Sequence, residues 1–318
     1  MRVVLAAGFA ASVGAALTVS VLASQREARV MAAYPPEGQF LDLPMGRIHV
    51  VERGQPQGTA PDLVLIHGSN GSTRDMSFAL APALEDRYRI LMFDRPGLGY
   101  SDPLPAASLA AQAHVLQQAA AAMGADRPLV LGQSYGGAVA LAWAVHHPDH
   151  IAGVISVSGP SHPWDTPLDP LYRLTSGKLG AKFIVPLLTA FVSDAYARSA
   201  LAPVYAPQAV PDGYAEHFGL GMSLRRSSWR NNARQRADLL SEIQDLQPHY
   251  RDLTLPIEII HGTADVTVSV KIHGEKLIQD TTSAHLTRLE AVGHMPHQTH
   301  PQEVAAAVDR AAQRAQLR

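Results

Sequence analysis

The chain has 318 residues, enough for one large domain with an insertion or for two small domains, and its 47% hydrophobic content supports a sizeable core. A formal net charge of −2 gives no indication of a nucleic-acid partner. Cysteine is absent, which excludes disulfides, thiolate catalysis and cysteine-bound zinc or iron–sulfur clusters.

The amino terminus carries an uncharged stretch of 21 residues, 3–23, with basic residues on both sides. This length suffices to cross a bilayer as a helix. We therefore expect residues 1–24 to form an uncleaved membrane anchor, with the rest of the chain periplasmic or otherwise extracytoplasmic. The alternative is a signal segment cleaved near Ser24, which would release a secreted protein.

The next part of the chain is predicted to be a polar linker over 25–39, where Pro35, Pro36 and Gly38 stop regular structure. Short apolar runs then alternate with helical stretches, a pattern that favours a mostly parallel sheet with right-handed crossovers. The predicted strands are 40–43, 47–52, 63–66, 89–93, 129–131, 151–157, 257–262 and 285–289. The predicted helices between and after them are 109–123, 138–147 and 301–316.

The alternation stops over residues 161–253, where no short apolar strand is found. This interval is rich in proline and aromatic residues and has helical stretches at 181–192 and 229–245. A structureless connection of this length is uncommon in a compact domain. The sequence thus predicts an α/β core over 40–160 and 254–318, interrupted by a helical insertion.

A Gly-Gln-Ser-Tyr-Gly motif at 132–136 joins an apolar strand to an alanine-rich helix. Gly-x-Ser-x-Gly is the spacing of a nucleophile elbow, in which a tight strand-to-helix turn exposes the serine hydroxyl. Side chains at Gly132 or Gly136 would collide with neighbouring elements of such a turn. Composition alone produces this pattern on the order of once in ten chains of this size, so Ser134 needs partners elsewhere.

Two further loops that follow apolar strands supply such partners, Asp265 and His294. Open α/β sheets place their ligand sites at these strand ends. Asp245 and Asp252 compete with Asp265, but neither follows an apolar strand. The order Ser–Asp–His along the chain is the one that an α/β-hydrolase triad requires.

Over roughly residues 40–316 the sequence resembles the α/β-hydrolase superfamily, in the branch that carries a helical cap after the sixth strand. The motifs that carry the resemblance stand in the family's order: His67-Gly68, Asp94-Arg95-Pro96-Gly97-Leu98-Gly99-Tyr100-Ser101, Gly132-Gln133-Ser134-Tyr135-Gly136-Gly137, Gly262-Thr263-Ala264-Asp265 and Gly293-His294. The resemblance implies an α/β fold with a mostly parallel sheet flanked by helices, and it implies that residues 161–253 form a cap, or lid.

The same resemblance implies a role for each site residue. Ser134 is the expected nucleophile, His294 the base that later protonates the leaving group, and Asp265 the residue that orients the imidazole. The backbone N–H groups of Ser69 and Tyr135 are the expected oxyanion-hole donors. No cofactor is expected.

Other polar residues are assigned no chemistry. His294, His297 and His300 are spaced three apart, but Pro296 breaks any helix there and no carboxylate cluster lies nearby, so no metal is expected. Asp94 stands in a turn motif of the family and is predicted to be structural.

The serine at the elbow also restricts the set of possible reactions. Epoxide hydrolases and haloalkane dehalogenases of the superfamily carry aspartate at this position, so Ser134 disfavours those activities. We expect hydrolysis of a small, apolar carboxylic ester through an acyl-enzyme. Alternatives are a carbon–carbon bond hydrolase of ring-fission diketones, a cofactor-free perhydrolase, and a catalytically silent ligand-binding member of the fold.

The insertion has an apolar and aromatic composition that suits a lid over a hydrophobic pocket, although packing within the insertion explains many of these residues equally well. The residues concerned are Pro163, Trp164, Phe183, Phe191, Tyr196, Phe218, Met222 and Trp229. A cluster of arginines, Arg225, Arg226, Arg230, Arg234 and Arg236, is interpreted as a solvated helix face; alternatively, one of them meets a carboxylate or phosphate of the substrate.

Overall fold

The computed structural model describes the backbone of residues 2–317 and the side chains of residues 14–317. Within that part of the chain, eight strands form one sheet. They are β1 (Gln39–Leu43), β2 (Gly46–Gly54), β3 (Asp62–Ile66), β4 (Arg89–Phe93), β5 (Leu129–Gln133), β6 (Gly153–Val157), β7 (Ile257–Gly262) and β8 (Ala284–Leu289).

The strand order is β1-β2-β4-β3-β5-β6-β7-β8. The β1–β2 and β2–β4 pairs are antiparallel, and the other five pairs are parallel. Strands β4 to β7 are buried along their whole length, as expected for parallel strands covered by helices on both faces. The predicted fold class, an α/β fold with a mostly parallel sheet, is confirmed.

Helices cover both faces of this sheet and fill the interval between β6 and β7. They are α1 (Arg2–Ala33), α2 (Thr73–Phe78), α3 (Leu109–Ala122), α4 (Tyr135–His146), α5 (Pro170–Ser176), α6 (Lys178–Phe191), α7 (Asp194–Ser199), α8 (Ala202–Tyr205), α9 (Tyr214–Phe218), α10 (Arg226–Leu246), α11 (Gly274–Asp280), α12 (Pro296–Thr299) and α13 (Pro301–Arg314). Single-turn or short 3₁₀ helices lie at Ala81–Ala83, Pro148–His150, Leu220–Met222 and Gln247–Asp252.

The core is divided between the two faces of the sheet. Alternate residues of one strand point to opposite faces; accordingly Val64 and Ile66 pack with α3 and α4, whereas Leu63 and Leu65 pack with α13. Trp143 of α4 is the largest fully buried side chain in the described part of the chain. These two layers hold the carboxyl ends of the parallel strands in place, where the predicted site lies.

The interval between β6 and β7 holds helices α5 to α10. We call residues 158–256 the inserted segment. The predicted helices 181–192 and 229–245 correspond to α6 and α10, which begin three residues earlier in each case. The division of the chain into a core and a cap, with the boundaries given above, stays a prediction.

The structure differs from the sequence prediction after residue 24. Residues 25–33 were predicted to be linker, but helix α1 continues through them to Ala33. Contacts distant in sequence hold this part of α1: the Glu27 carboxylate accepts from the Arg226 backbone N–H at 2.7 Å and from Nη2 of the same residue at 2.7 Å. Arg26 pairs with Asp194 at 2.6 Å. Helix α1 is therefore attached to the inserted segment.

No single helix within the described residues is both long and apolar enough to span a membrane. One bent pair, Lys178–Phe191 with Asp194–Tyr205 at 98°, meets the length and hydropathy criteria jointly. The predicted anchor, residues 1–24, stays a prediction, because the side chains of its residues 1–13 lie outside the described part of the chain.

Candidate active site

The nucleophile elbow occupies the junction of β5 and α4. Ser134 lies between them with φ 51° and ψ −121°, a conformation that L-residues rarely adopt. A Cβ atom at Gly132 would lie 2.0 Å from the Gly136 carbonyl oxygen, and one at Gly136 would lie 2.2 Å from the Ile66 carbonyl oxygen. Both glycines are therefore required for this turn, as the sequence motif predicts.

The three residues predicted as a triad lie in one hydrogen-bonded chain. The Ser134 Oγ is 3.0 Å from His294 Nε2, and His294 Nδ1 is 2.8 Å from Asp265 Oδ2. Because Nδ1 donates to the carboxylate, Nε2 of a neutral ring is left to accept the hydroxyl proton of Ser134. The arrangement has the geometry of a nucleophile, a base and an orienting acid.

Asp265 is fixed by more than His294. Its Oδ1 accepts the backbone N–H groups of Thr267 at 2.8 Å and Val268 at 2.9 Å. His261 Nε2 donates to the Val268 carbonyl at 2.7 Å and lies 3.4 Å from Asp265 Oδ2. Burial opposes ionisation, but hydrogen bonds from His261, His294 and the Val268 N–H hold the pKa of Asp265 well below its ordinary value. The carboxylate thus stays ionised.

His261 is a neighbour that the sequence analysis did not assign. It stands at the end of β7 directly before the glycine of the Asp265 motif. Its place four residues before Asp265 could have indicated a contact with this carboxylate. The same His-Gly pair is equally typical of a buried strand end without a functional role.

The predicted oxyanion-hole residues Ser69 and Tyr135 both line the cavity that contains Ser134. The next backbone N–H along the first loop, that of Asn70, donates to Asn232 Oδ1 at 2.9 Å. Asn70 is therefore already engaged, which is consistent with Ser69 as the donor from this loop. The oxyanion role of both residues stays a prediction.

Arg95 supports this loop, a role that the sequence analysis did not assign. The fully buried guanidinium donates to the carbonyl oxygens of His67 and Gly68, each at 3.0 Å, and lies 4.2 Å from the centre of the Tyr135 ring. It thereby connects the His67-Gly68 turn to the first residue of α4.

Asp94 has the bonding pattern of a structural residue. Its carboxylate accepts the backbone N–H groups of Thr73 at 2.7 Å and Tyr100 at 2.8 Å, and it lies 2.7 Å from His49 Nδ1. Burial opposes its charge, but these bonds, those to His49 first, hold its pKa below the ordinary value. The contacts agree with the prediction that Asp94 fixes a turn.

A cavity of about 360 Å³ opens at Ser134 between the sheet edge and the inserted segment. Its apolar wall includes Trp164, Leu168, Leu239 and Leu240, and its polar lining includes Asp165, Asp169, Arg236 and His273. Of the eight apolar residues singled out in the insertion, Trp164 lines this cavity. Among the others, Phe183, Phe191 and Tyr196 are exposed, whereas Phe218 and Met222 are buried.

The arginine cluster does not form one solvated face. Arg225 is buried and donates to the Gly99 carbonyl, Arg226 pairs with Glu27, and Arg230 donates to the Ala181 carbonyl. Arg236 lines the cavity and lies 4.4 Å from the centre of the Tyr172 ring. The solvated-face interpretation is therefore wrong for Arg225, since a helix pattern does not show which neighbour covers a residue.

The histidines after His294 have partners within the protein. His297 Nε2 lies 3.3 Å from Asp75 Oδ2. The Asp75 Oδ1 also accepts from the Tyr214 hydroxyl at 2.7 Å and from Gln298 Nε2 at 2.9 Å. This buried group, which we call the Asp75 node, joins α2, α9 and α12. Within residues 14–317, no group of three or more His, Asp or Glu side chains could hold a metal ion.

Comparison with known proteins agrees with this architecture. The sequence profile of the alpha/beta hydrolase fold family matches residues 61–301. The chain therefore belongs to this family.

Curated relatives differ in reaction and in length. The chain is 28% identical over 301 residues to the polyketide synthase ThaQ of Burkholderia thailandensis, covering 90% of this chain and 13% of that protein. It is 32% identical over 140 residues to haloalkane dehalogenase 2 of Mycobacterium tuberculosis, covering 43% and 46%. It is 28% identical over 221 residues to the pimeloyl-[acyl-carrier protein] methyl ester esterase of Vibrio vulnificus, covering 69% and 81%. The chain thus spans less than half the length of the first two.

Among solved structures, a bacterial membrane phospholipase A is similar with a TM-score of 0.66 and 19% identity, and the match covers 99% of both chains. At this identity the similarity shows the fold alone.

Proposed function

We propose that the protein hydrolyses carboxylic esters through an acyl-enzyme on Ser134. The observation that supports the proposal most directly is the hydrogen-bonded chain from Ser134 Oγ through the His294 ring to Asp265, at 3.0 and 2.8 Å. A serine hydroxyl needs such a base because it is a poor nucleophile at neutral pH.

In the proposed acylation, Ser134 Oγ attacks the ester carbonyl carbon while its proton passes to His294 Nε2. The carbonyl oxygen becomes an oxyanion, which the N–H groups of Ser69 and Tyr135 would stabilise; loss of one such donor typically costs about 3–4 kcal/mol of barrier. The intermediate collapses as the C–O bond breaks, and His294 protonates the departing alkoxide.

Deacylation repeats these steps with water. His294 removes a proton from water, the resulting hydroxide attacks the acyl carbon, and the Ser134–acyl bond breaks with return of the proton to Oγ. Asp265 stabilises the imidazolium in both half-reactions. The products are a carboxylic acid and an alcohol, and no cofactor is consumed.

The Ser134→Ala variant tests this mechanism. We expect hydrolysis of a short p-nitrophenyl ester to fall by at least about 10⁴-fold, with an unchanged melting temperature and loss of labelling by a fluorophosphonate probe. The control is Ser241→Ala, an exposed serine of α10, which should retain wild-type activity.

Unchanged turnover in Ser134→Ala would contradict the mechanism. Rapid hydrolysis of a ring-fission diketone by the wild type, with negligible esterase activity, would favour carbon–carbon bond cleavage instead. A wild-type protein that resists the fluorophosphonate probe would indicate a non-catalytic member of the family.

We also propose that the amino-terminal segment attaches the protein to a membrane, with the hydrolase domain outside the cytoplasm. The uncharged stretch 3–23 supports the proposal, because its length suffices to cross a bilayer as a helix. The part of α1 that follows it is attached to the inserted segment through Glu27 and Arg226. Full-length protein in washed membranes is the expected result. A mature chain that begins near Ser24 would contradict it.

A further inference from the structure

His273 is a buried polar residue of the cavity that the proposed mechanism does not use. It lies directly before α11, is 4% exposed, and lines the same cavity as Ser134. Its ring meets Trp164 edge-on, with 5.8 Å between the ring centres and an interplanar angle of 71°. In a neutral imidazole one ring nitrogen donates a hydrogen bond and the other accepts one, so the partners of each nitrogen show where the proton lies.

The protein backbone determines which nitrogen carries the proton. His273 Nδ1 receives the backbone N–H of Ser161 at 3.1 Å and that of His162 at 3.2 Å. Since two N–H donors point at Nδ1, this atom must be an unprotonated acceptor. Burial first, and then the nearby His261 and His162, lower the pKa of His273 to about 3. The ring is therefore neutral, with its single proton on Nε2.

The hydrogen bonds of the His273 ring to residues 14–317 are the two at Nδ1, and the Nε2–H group makes none with them. The Nδ1 edge of the ring faces the loop after β6, and the ring borders the cavity. A neutral, fixed donor is thus available to whatever fills the cavity. The charged side chains that line the cavity are of both signs, Asp165 and Asp169 against Arg236. The neutral N–H group of His273 is therefore suited to an uncharged acceptor rather than to an anion.

We propose that His273 is a specificity-determining residue whose Nε2–H binds an uncharged acceptor oxygen in the non-reacting part of the ester substrate. The oxygen belongs to an ether, hydroxyl or carbonyl group at a fixed distance from the scissile bond. This inference rests on the proposed esterase function, because it concerns the substrate of the same cavity. It predicts a preference for oxygen-bearing esters over all-carbon esters of equal length.

The experiment compares pairs of p-nitrophenyl esters in which an ether oxygen replaces one methylene at successive positions of the acyl chain. For the wild type we expect one position at which kcat/KM exceeds that of the all-carbon ester by about 3- to 10-fold, the gain of one hydrogen bond. Equal values at every position would overturn the proposal, whereas the proposed function would fail only if neither ester were hydrolysed.

Two substitutions separate binding from structure. In His273→Asn, the side-chain oxygen can replace Nδ1 as acceptor for Ser161 and His162, but the Nε2–H donor is lost. We expect the ratio of kcat/KM between the oxygen-bearing ester and the all-carbon ester to fall to about 1. In His273→Gln, the longer side chain can return an N–H donor near the position of Nε2, and we expect part of the preference to return.

A purely structural role predicts a different result. In that case His273→Asn would leave the preference unchanged, or would lower kcat/KM equally for both members of each ester pair. Either outcome would overturn the assignment of His273 as a substrate contact.

Discussion

The sheet edge and the inserted segment meet at one cavity but are constructed differently. At the sheet edge, Ser134 and Asp265 follow the buried strands β5 and β7, and His294 follows the partly exposed strand β8. Hydrogen bonds of 3.0 and 2.8 Å connect the three side chains. The inserted segment exposes large apolar side chains, among them Leu179 at 73% and Phe183 at 56%. The sheet edge thus holds the three residues of the proposed mechanism, whereas the inserted segment supplies more than half of the residues that line the cavity.

The largest effect, a loss of activity, is expected from Asp265→Asn at the sheet edge. The amide can still accept the N–H groups of Thr267 and Val268, but it no longer stabilises the protonated ring of His294. We expect kcat to fall by about 10²- to 10⁴-fold with little change in melting temperature. The measurement is p-nitrophenyl ester hydrolysis together with thermal unfolding.

The matched control is Asp252→Asn, an exposed aspartate that competes for the same role in the sequence but does not follow an apolar strand. It should retain the wild-type kcat. If the two variants lost activity equally, the assignment of Asp265 as the orienting acid would have to be abandoned.

A smaller effect, on stability, is expected from Asp75→Asn. This substitution weakens the Asp75 node, through which α9 of the inserted segment contacts α2 and α12 of the core. Burial opposes the charge of Asp75, but His297 and Tyr214 hold its pKa below the ordinary value. We expect the free energy of unfolding to fall by about 3 kcal/mol at pH 7. The difference should shrink in acid, because stability linked to a lowered carboxyl pKa is lost as the pH falls.

The control for that variant is Glu275→Gln, which removes a partly exposed carboxylate paired with Arg288 at 3.1 Å. Urea unfolding of Glu275→Gln should show a fall in the free energy of unfolding of less than about 0.5 kcal/mol. Similar losses in the two variants would mean that the Asp75 node does not join the regions.

The smallest effect is expected from Glu242→Gln, where α10 of the inserted segment reaches α3 of the core. Glu242 Oε2 accepts the Leu109 N–H at 2.7 Å, and burial raises its pKa to about 7 from an ordinary value of 4.5. Because the folded protein binds this proton more tightly than the unfolded chain does, stability falls as the pH rises from 4.5 to about 7.

Glutamine keeps an acceptor for Leu109 without the charge. We therefore expect Glu242→Gln to stabilise the protein by about 1 kcal/mol at pH 8 and by much less at pH 5. Urea unfolding at the two pH values is the test, and an equal effect at both would contradict the raised pKa.

The fold and the three predicted triad residues were accessible from the sequence because their signals are local. Apolar runs mark buried strands, and loops after such strands lie at one sheet edge, so the strand pattern alone favours Asp265 over Asp252. The glycines at 132 and 136 likewise indicate the tight turn that carries Ser134. The contacts of Arg95 and His261 were not accessible, since each depends on a carbonyl or carboxylate that only folding brings near.

The amino-acid sequence therefore determined the α/β class, the order of the strands along the chain and the residue types at the strand ends. Tertiary structure alone decided that residues 25–33 are helical, that Arg225 is buried while Arg236 lines the cavity, and that the proton of His273 lies on Nε2. The physical reason is that periodicity and turn chemistry act between near neighbours in the chain. Burial and hydrogen-bond direction at His273 instead depend on Ser161 and His162, more than 100 residues away.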